Sequence, residues 1–102
     1  MKLLELAHAR SGDKGAHANI AVIARDDAAF ERLSDFLTPK RVRDYFAGLN
    51  CGPVTRHELP KLRAFNFVCR DILGGGGSVN LRIDAQGKTL AQALLLMELP
   101  NE

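Results

Sequence analysis

ANIAVIAR, at residues 18–25, has apolar side chains at odd and even positions alike. Successive side chains of a β-strand point to opposite faces, so a strand that is apolar throughout is typically covered on both faces. This stretch therefore predicts a central strand of a sheet, and the other elements are placed around it.

The segments on either side of this strand predict a second strand and two helices. Leu3–Arg10 alternates in the manner of a strand, and the polar segment 11–17, which contains two glycines, predicts a loop. Asp26 or Asp27 caps a helix whose apolar residues recur at i, i+3 and i+7. Thr38-Pro39 starts a second helix, because proline is favoured in a first helical turn.

The second half of the chain predicts further alternation of strands and helices. Val54–Leu59 is polar and precedes a proline, which indicates an edge strand. Apolar residues at helical spacing predict a third helix over Lys61–Leu73. Val79–Ile83 predicts a strand, and Lys88–Leu99 predicts one helical turn followed by a final strand. Together these elements predict one α+β domain over residues 1–102, with a mainly antiparallel sheet and helices on one face.

The composition excludes several classes of function. Of the 102 residues, 46% are hydrophobic, 25% are charged and 6% are aromatic. Lys and Arg number 14 against 12 Asp and Glu, so the net charge is only +2. We do not expect the chain to bind nucleic acid, because it has neither a strong positive charge nor enough aromatic side chains for base stacking. No stretch is long and apolar enough to predict a membrane span.

The two cysteines also narrow the possibilities. They are too few for a disulfide framework and too widely spaced for a zinc site. We predict that Cys69 packs in the core and that Cys51 is an inert loop thiol. We expect the protein to be located in the cytoplasm. We expect it to bind neither a metal nor a cofactor.

Arg10-Ser11-Gly12-Asp13-Lys14-Gly15 concentrates the polar chemistry of the chain in the predicted loop. Successive backbone N–H groups in a glycine-rich turn can form a concave anion nest, to which Arg10 and Lys14 would add charge. The spacing is not that of a phosphate-binding P-loop. A hairpin turn with solvated cations explains the same residues, so both interpretations stay open.

The predicted third helix is followed by a run of small residues: Gly74, Gly75, Gly76, Gly77 and Ser78. One glycine is enough to end a helix, and each further one costs about 0.5–1 kcal/mol relative to alanine in regular structure. The run is therefore either a place of close approach to a ligand or a flexible linker. If the strands over 3–10 and 79–83 are antiparallel in one sheet, the run faces residues 10–15 and completes an anion pocket. Lys88 would reach that pocket only across a subunit interface.

His17 is the strongest candidate for acid–base chemistry, because it borders the polar loop and imidazole titrates near neutral pH. Asp13 is the other residue expected to move a proton. His8 and His57 have no carboxylate or second histidine at a metal-ligand spacing, so no metal site is expected.

Five stretches, in this order along the chain, resemble the small domain of the acyclic terpene utilisation (AtuA-like) family: Ala9–Gly15, Ala18–Ile20, Glu58–Phe67, Leu73–Ser78 and Asp84–Lys88. The similarity extends from Leu4 to Met97. Asn19 in the second stretch and Lys88 in the last join the expected substrate- or anion-binding residues.

The resemblance implies a ferredoxin-like sandwich and a role in the catabolism of branched, acyclic terpene-type acids, as carboxylates or CoA thioesters. In this family the domain follows a larger N-terminal domain or occurs as a separate short protein. We therefore expect a small subunit that lends Arg10, Asp13, Lys14 and the glycine run to a larger AtuA-type partner. CoA is expected only as part of the substrate, and no activity is expected of this chain alone.

A non-catalytic assembly or small-anion-binding regulatory module is the alternative function. An uncovered sheet face, or the edge strand over 54–59, predicts a homo-oligomer, because exposed sheet surfaces drive association.

Overall fold

A computed structural model of the chain describes residues 1–14, 17–49, 51–72 and 89–100. Within these ranges, four strands form one antiparallel sheet in the order β1-β2-β4-β3. The strands are β1 (Ala7–Lys14), β2 (His17–Ala24), β3 (Val54–Leu59) and β4 (Ala64–Cys69). The sheet thus consists of two hairpins side by side, joined through β2 and β4.

Strand β2 lies inside the sheet, which confirms the prediction for ANIAVIAR. Its even-numbered residues from Ala18 to Ala24 are buried. The residues between them, including Ala21 and Ile23, are only half-buried. The prediction of cover on both faces was therefore wrong for this strand, and neighbouring strands shield Ala21 and Ile23 in part.

Three helices lie on one face of the sheet: α1 (Asp27–Phe36), α2 (Pro39–Tyr45) and α3 (Thr89–Leu95). The first two begin at the predicted caps. The Asp26 carboxylate accepts from the backbone N–H of Ala29 at 2.8 Å, and the Thr38 hydroxyl accepts from that of Arg41 at 3.2 Å. These contacts confirm the α+β class. No helix in the described ranges is long and apolar enough to cross a membrane.

The core between the helices and the sheet is apolar. Its largest fully buried side chains are Phe65, Phe67, Leu3, Ile20, Leu33, Leu37, Ile72 and Leu94. Phe30 of α1 stacks on Phe65 of β4 with ring centroids 4.8 Å apart, which fixes α1 against the sheet.

Strand β1 begins later and ends later than predicted. Leu3–Glu5 forms a 3-10 turn, and the strand runs from Ala7 to Lys14, through residues that were predicted as a loop. The misleading signal was polarity. Because β1 is an edge strand of the described sheet, polar residues at alternate positions remain in contact with solvent while the backbone stays paired.

The predicted helix over 61–73 was wrong. Pro60–Leu62 forms a 3-10 turn, and Ala64–Cys69 is the inner strand β4. Phe65 and Cys69 fit helical spacing, yet Phe65, Phe67 and Cys69 also alternate at the period of a strand. Aromatic residues favour strands, and burial of this row decides the outcome.

The C-terminal segment forms more helix and less strand than predicted. Helix α3 is followed by an isolated bridge between Glu98 and Lys2 in place of a final strand. The predicted strand over 79–83 and the glycine run before it lie outside the described residues.

Arg56 ties the edge strand β3 to helix α1. Its guanidinium donates to the backbone carbonyls of Ser34 at 3.0 Å and Leu37 at 2.9 Å, at the end of α1. It also lies 5.0 Å from the centroid of Phe65. A cation at a helix C-terminus satisfies carbonyls that have no partner within the helix and complements the helix dipole.

Candidate functional site

The face of the sheet opposite the helices carries the candidate functional residues, and we call it the open face. Its residues occupy alternate positions of the four strands and are half-buried or exposed. They are His8, Arg10, Gly12, His17, Asn19, Ala21, Ile23, Thr55, His57, Leu59, Asn66 and Val68. The set includes every histidine of the chain, and none of its members is acidic.

Arg10, Asn19 and Asn66 surround Ala21 near the middle of the open face, and we call these three residues the Arg10 patch. Arg10 and Asn66 flank Ala21 on the neighbouring strands, and Asn19 lies two residues away on its own strand. The side-chain amide Nδ2 of Asn19 donates to the side-chain oxygen Oδ1 of Asn66 at 3.5 Å. The patch therefore surrounds a short side chain with one cation and two amides, which suits an anion or a carbonyl group.

The Arg10 side chain is exposed, and its guanidinium forms no hydrogen bond or ion pair with any residue in the described ranges. Of the seven other arginines in the described ranges, four have such a partner: Arg25, Arg32, Arg56 and Arg63. A guanidinium free of internal partners keeps its donors available for a bidentate contact with a carboxylate or phosphate.

The predicted anion nest is not formed by residues 10–14. These residues are extended and paired with β2, with Arg10 opposite Ala21 and Gly12 opposite Asn19. Successive N–H groups of a strand point to opposite sides, so they do not converge on one ion. A β-carbon at Gly12 would lie 3.5 Å from the side-chain oxygen Oδ1 of Asn19, an ordinary contact, so this glycine is not required by crowding.

Ser11 lies on the helix-covered side of β1, away from Arg10. Its hydroxyl accepts from the backbone N–H of Ala91 at 3.2 Å, in the first turn of α3. This contact satisfies one of the N–H groups that a helix N-terminus leaves without a partner. Ser11 therefore has a structural role here, and its part in anion binding stays a prediction.

His17 is held in one tautomer by the turn after β4. The backbone N–H of Asp71 donates to Nδ1 of His17 at 2.9 Å, and the Asp71 carboxylate lies 3.8 Å from the same atom. Asp71 has a φ of 59°, in the left-handed region that tight turns use. Because Nδ1 accepts, the neutral ring carries its proton on Nε2 and can donate to a ligand from there.

Arg10 and His17 lie at different places along the open face. His17 is opposite Lys14, and four residues of strand correspond to about 14 Å. One small ligand contacts both side chains only if it lies between them, above the pair Gly12 and Asn19.

The other predicted site residues have different outcomes. Asp13 is paired with Ala18 in the ladder, and its catalytic role stays a prediction. Six predicted site residues lie outside the described residues: Gly74, Gly75, Gly76, Gly77, Ser78 and Lys88.

Cys69 lies in the core, as predicted, and Cys51 is buried as well. Burial raises the pKa of the Cys51 thiol and raises that of Cys69 to about 12, so both are protonated and unreactive near neutral pH. In the described part of the chain, no group of three or more potential ligands is arranged to hold a metal ion.

Asn66 was missed as a site residue because it was assigned to a helix. The alternation of apolar and polar residues in Phe65-Asn66-Phe67 was the available signal. Read as a strand, it places the phenylalanines on one face and Asn66 on the other.

Comparison with known proteins gives one match. The family model of the AtuA ferredoxin-like domain matches residues 1–100, which is nearly the whole chain. Neither the curated proteins nor the solved structures contain a match.

Proposed function

The chain belongs to the AtuA ferredoxin-like domain family, and from this premise we propose that it is the small subunit or accessory domain of a catabolic enzyme. The enzyme acts on branched, acyclic acyl carboxylates or their CoA thioesters. Its larger AtuA-type partner supplies the rest of the active site, and this chain contributes an anion-binding surface on its open face.

The observation that carries the proposal is the guanidinium of Arg10, which is unpaired within the described ranges and lies on a face whose described residues include no acid. Arginine binds a carboxylate through two parallel hydrogen bonds, and the amides of Asn19 and Asn66 can donate further bonds. The half-buried apolar side chains of Ile23 and Val68 lie on the same face and suit the hydrocarbon part of a branched acyl chain.

His17 supplies the proposed acid chemistry beside this surface. With its proton on Nε2, His17 donates a hydrogen bond to a substrate carbonyl oxygen and stabilises negative charge that develops there. Asp13 is the proposed base. The glycine run over 74–77, Ser78, Lys14 and Lys88 remain proposed additional contacts to the anion.

The test measures binding of 3-methylbutanoate and 3-methylbutanoyl-CoA by calorimetry, with and without the larger partner. We expect Arg10→Ala to weaken binding by about ten- to a hundred-fold, because a charge-assisted hydrogen bond contributes about 1.5–3 kcal/mol. Arg43→Ala is the matched control. It removes the same charge from an exposed position on α2, away from the open face. Equal affinities for the two variants would contradict the proposal.

A second candidate is a non-catalytic module that binds a small anion or serves assembly. The same Arg10 side chain favours it, since this guanidinium suits inorganic phosphate as well as a carboxylate. Phosphate binding that depends on Arg10, together with no effect of the chain on turnover by the larger partner, would select this function.

A further inference from the structure

We propose that two copies of the chain associate through the outer edges of their β3 strands. The strands run antiparallel, and His57 lies at the two-fold axis. The two sheets of four strands would then form one sheet of eight. The interface uses the backbone edge of β3, whereas the anion-binding surface proposed above uses the guanidinium of Arg10 on β1, at the opposite edge of the described sheet.

The outer edge of β3 carries backbone hydrogen-bonding groups that the described sheet leaves unused. In that sheet, β3 is the last strand and pairs only with β4. The Arg70 N–H donates to the Pro53 carbonyl at 3.1 Å, which makes this pair a hydrogen-bonded one. Because such pairs alternate along an antiparallel ladder, Thr55, His57 and Leu59 bond to β4. Val54, Arg56 and Glu58 therefore direct their N–H and C=O groups away from the sheet.

A contact on the other side of β4 leads to the same assignment of inward- and outward-facing residues in β3. The Ala24 N–H donates to the Arg63 carbonyl at 2.7 Å, so odd-numbered residues of β4 bond to β2. The even-numbered residues, such as Asn66, then bond to β3. Asn66 is opposite His57, which confirms that His57 bonds inward.

Charge favours the register centred on His57 over the two adjacent registers. An axis at Arg56 places the two Arg56 residues opposite each other, and an axis at Glu58 does the same with two carboxylates. An axis at His57 places Arg56 of each copy opposite Glu58 of the second copy. Opposite charges at directly facing positions stabilise a pair of strands, and like charges destabilise it.

The His57 register also uses the outward backbone groups. Arg56 and Glu58 of the second copy form a hydrogen-bonded pair, and the same pair recurs on the other side of the axis. This gives four backbone hydrogen bonds. The two His57 residues form a non-hydrogen-bonded pair between them, with Cα atoms about 4.5 Å apart.

The side chains on the edge are suited to this arrangement. Arg56 is only 16% exposed and already contacts Glu58 of its own chain at 2.5 Å, so its guanidinium is held in place before association. Leu59, which is 44% exposed, comes to lie opposite Thr55 of the second copy. Association thus removes apolar surface from water at both ends of the paired segment.

The first test compares two lysine variants by sedimentation equilibrium of the full chain. The wild type is expected to have twice the monomer mass of 11.2 kDa. His57→Lys places two lysines opposite each other and is expected to raise the dimer dissociation constant by about tenfold. His8→Lys is the control, because it makes the same change at an exposed position of the open face on β1. A monomeric wild type, or equal effects of the two variants, would overturn the proposal.

The second test fixes the register with a cysteine. The Cα separation expected at the axis lies within the range that a disulfide requires, so His57→Cys is expected to give a covalent dimer under mild oxidation. Each disulfide forms from two thiols, whose two electrons and two protons pass to an added oxidant such as hydrogen peroxide. The native Cys51 and Cys69 are both buried, so neither is accessible for a crosslink to the second copy.

Thr55→Cys is the control for that crosslink, since residue 55 faces Leu59 of the second copy. If the His57→Cys dimer does not crosslink, or if the Thr55→Cys dimer crosslinks equally well, the copies associate through another surface or register and the proposal is wrong. Arg10→Ala is expected to leave the mass unchanged, which separates this result from the test of the anion-binding surface.

Discussion

The two faces of the sheet differ in what their polar groups do. On the helix-covered face, the polar side chains are bonded within the protein: Ser11 to α3 and Arg56 to α1. On the open face, the Arg10 guanidinium has no partner in the described ranges, and His17 keeps one ring nitrogen for a ligand. The same strands therefore provide stability through one set of alternate residues, and in the proposed function they provide recognition through the other.

The largest loss of stability is expected for a substitution on the helix-covered face. Phe67→Ala removes a fully buried ring and is expected to lower the free energy of unfolding by about 3–5 kcal/mol. Its neighbour Val68 points to the open face and is half-buried. Val68→Ala is expected to cost less than about 1 kcal/mol. Urea denaturation measures both, and equal losses would contradict the division between the faces.

A smaller loss is expected for Arg56→Ala, because the carbonyls of Ser34 and Leu37 lose a charged donor. We expect a decrease of about 1.5–3 kcal/mol in the free energy of unfolding. The measurement is best made with His57→Lys present, so that association does not contribute to stability. Arg43→Ala again serves as the charge control. If its effect is as large, net charge rather than the helix contact is responsible.

The smallest change in stability is expected for a substitution on the open face. Asn66→Ala removes a contact of 3.5 Å on the open face, and its free energy of unfolding is expected to stay within about 0.5 kcal/mol of the wild type. Binding of 3-methylbutanoyl-CoA is expected to weaken by about three- to tenfold. Unfolding curves and calorimetry together test this, and a large loss of stability with unchanged binding would place Asn66 among the structural residues.

Those parts of the fold with local signals were predictable from the sequence. The caps at Asp26 and Thr38 lie beside the helices that they start, and the apolar run of β2 marks an inner strand. Strand β4 was not predictable in the same way, because Phe65 and Cys69 fit both periods. The alternation at Asn66 favours a strand, and burial against α1, which is distant in sequence, decides between the two.

The candidate site depends on contacts that no local pattern contains. The tautomer of His17 is set by the backbone of Asp71, 54 residues away. Arg10 and Asn66 share the open face because β1 and β4 both pair with β2. The residue types of the site were visible in the sequence, whereas their common face follows from strand order.

Arg56 also affects how the sheet opens. Edge strands separate from a sheet more easily than inner ones, and such local opening exposes amide hydrogens to exchange with solvent. Here β3 cannot leave β4 without withdrawing the guanidinium from the last turn of α1. We therefore expect the outer strand and the end of the helix to open as one unit, so that their amide hydrogens exchange together although the segments lie about twenty residues apart in the chain.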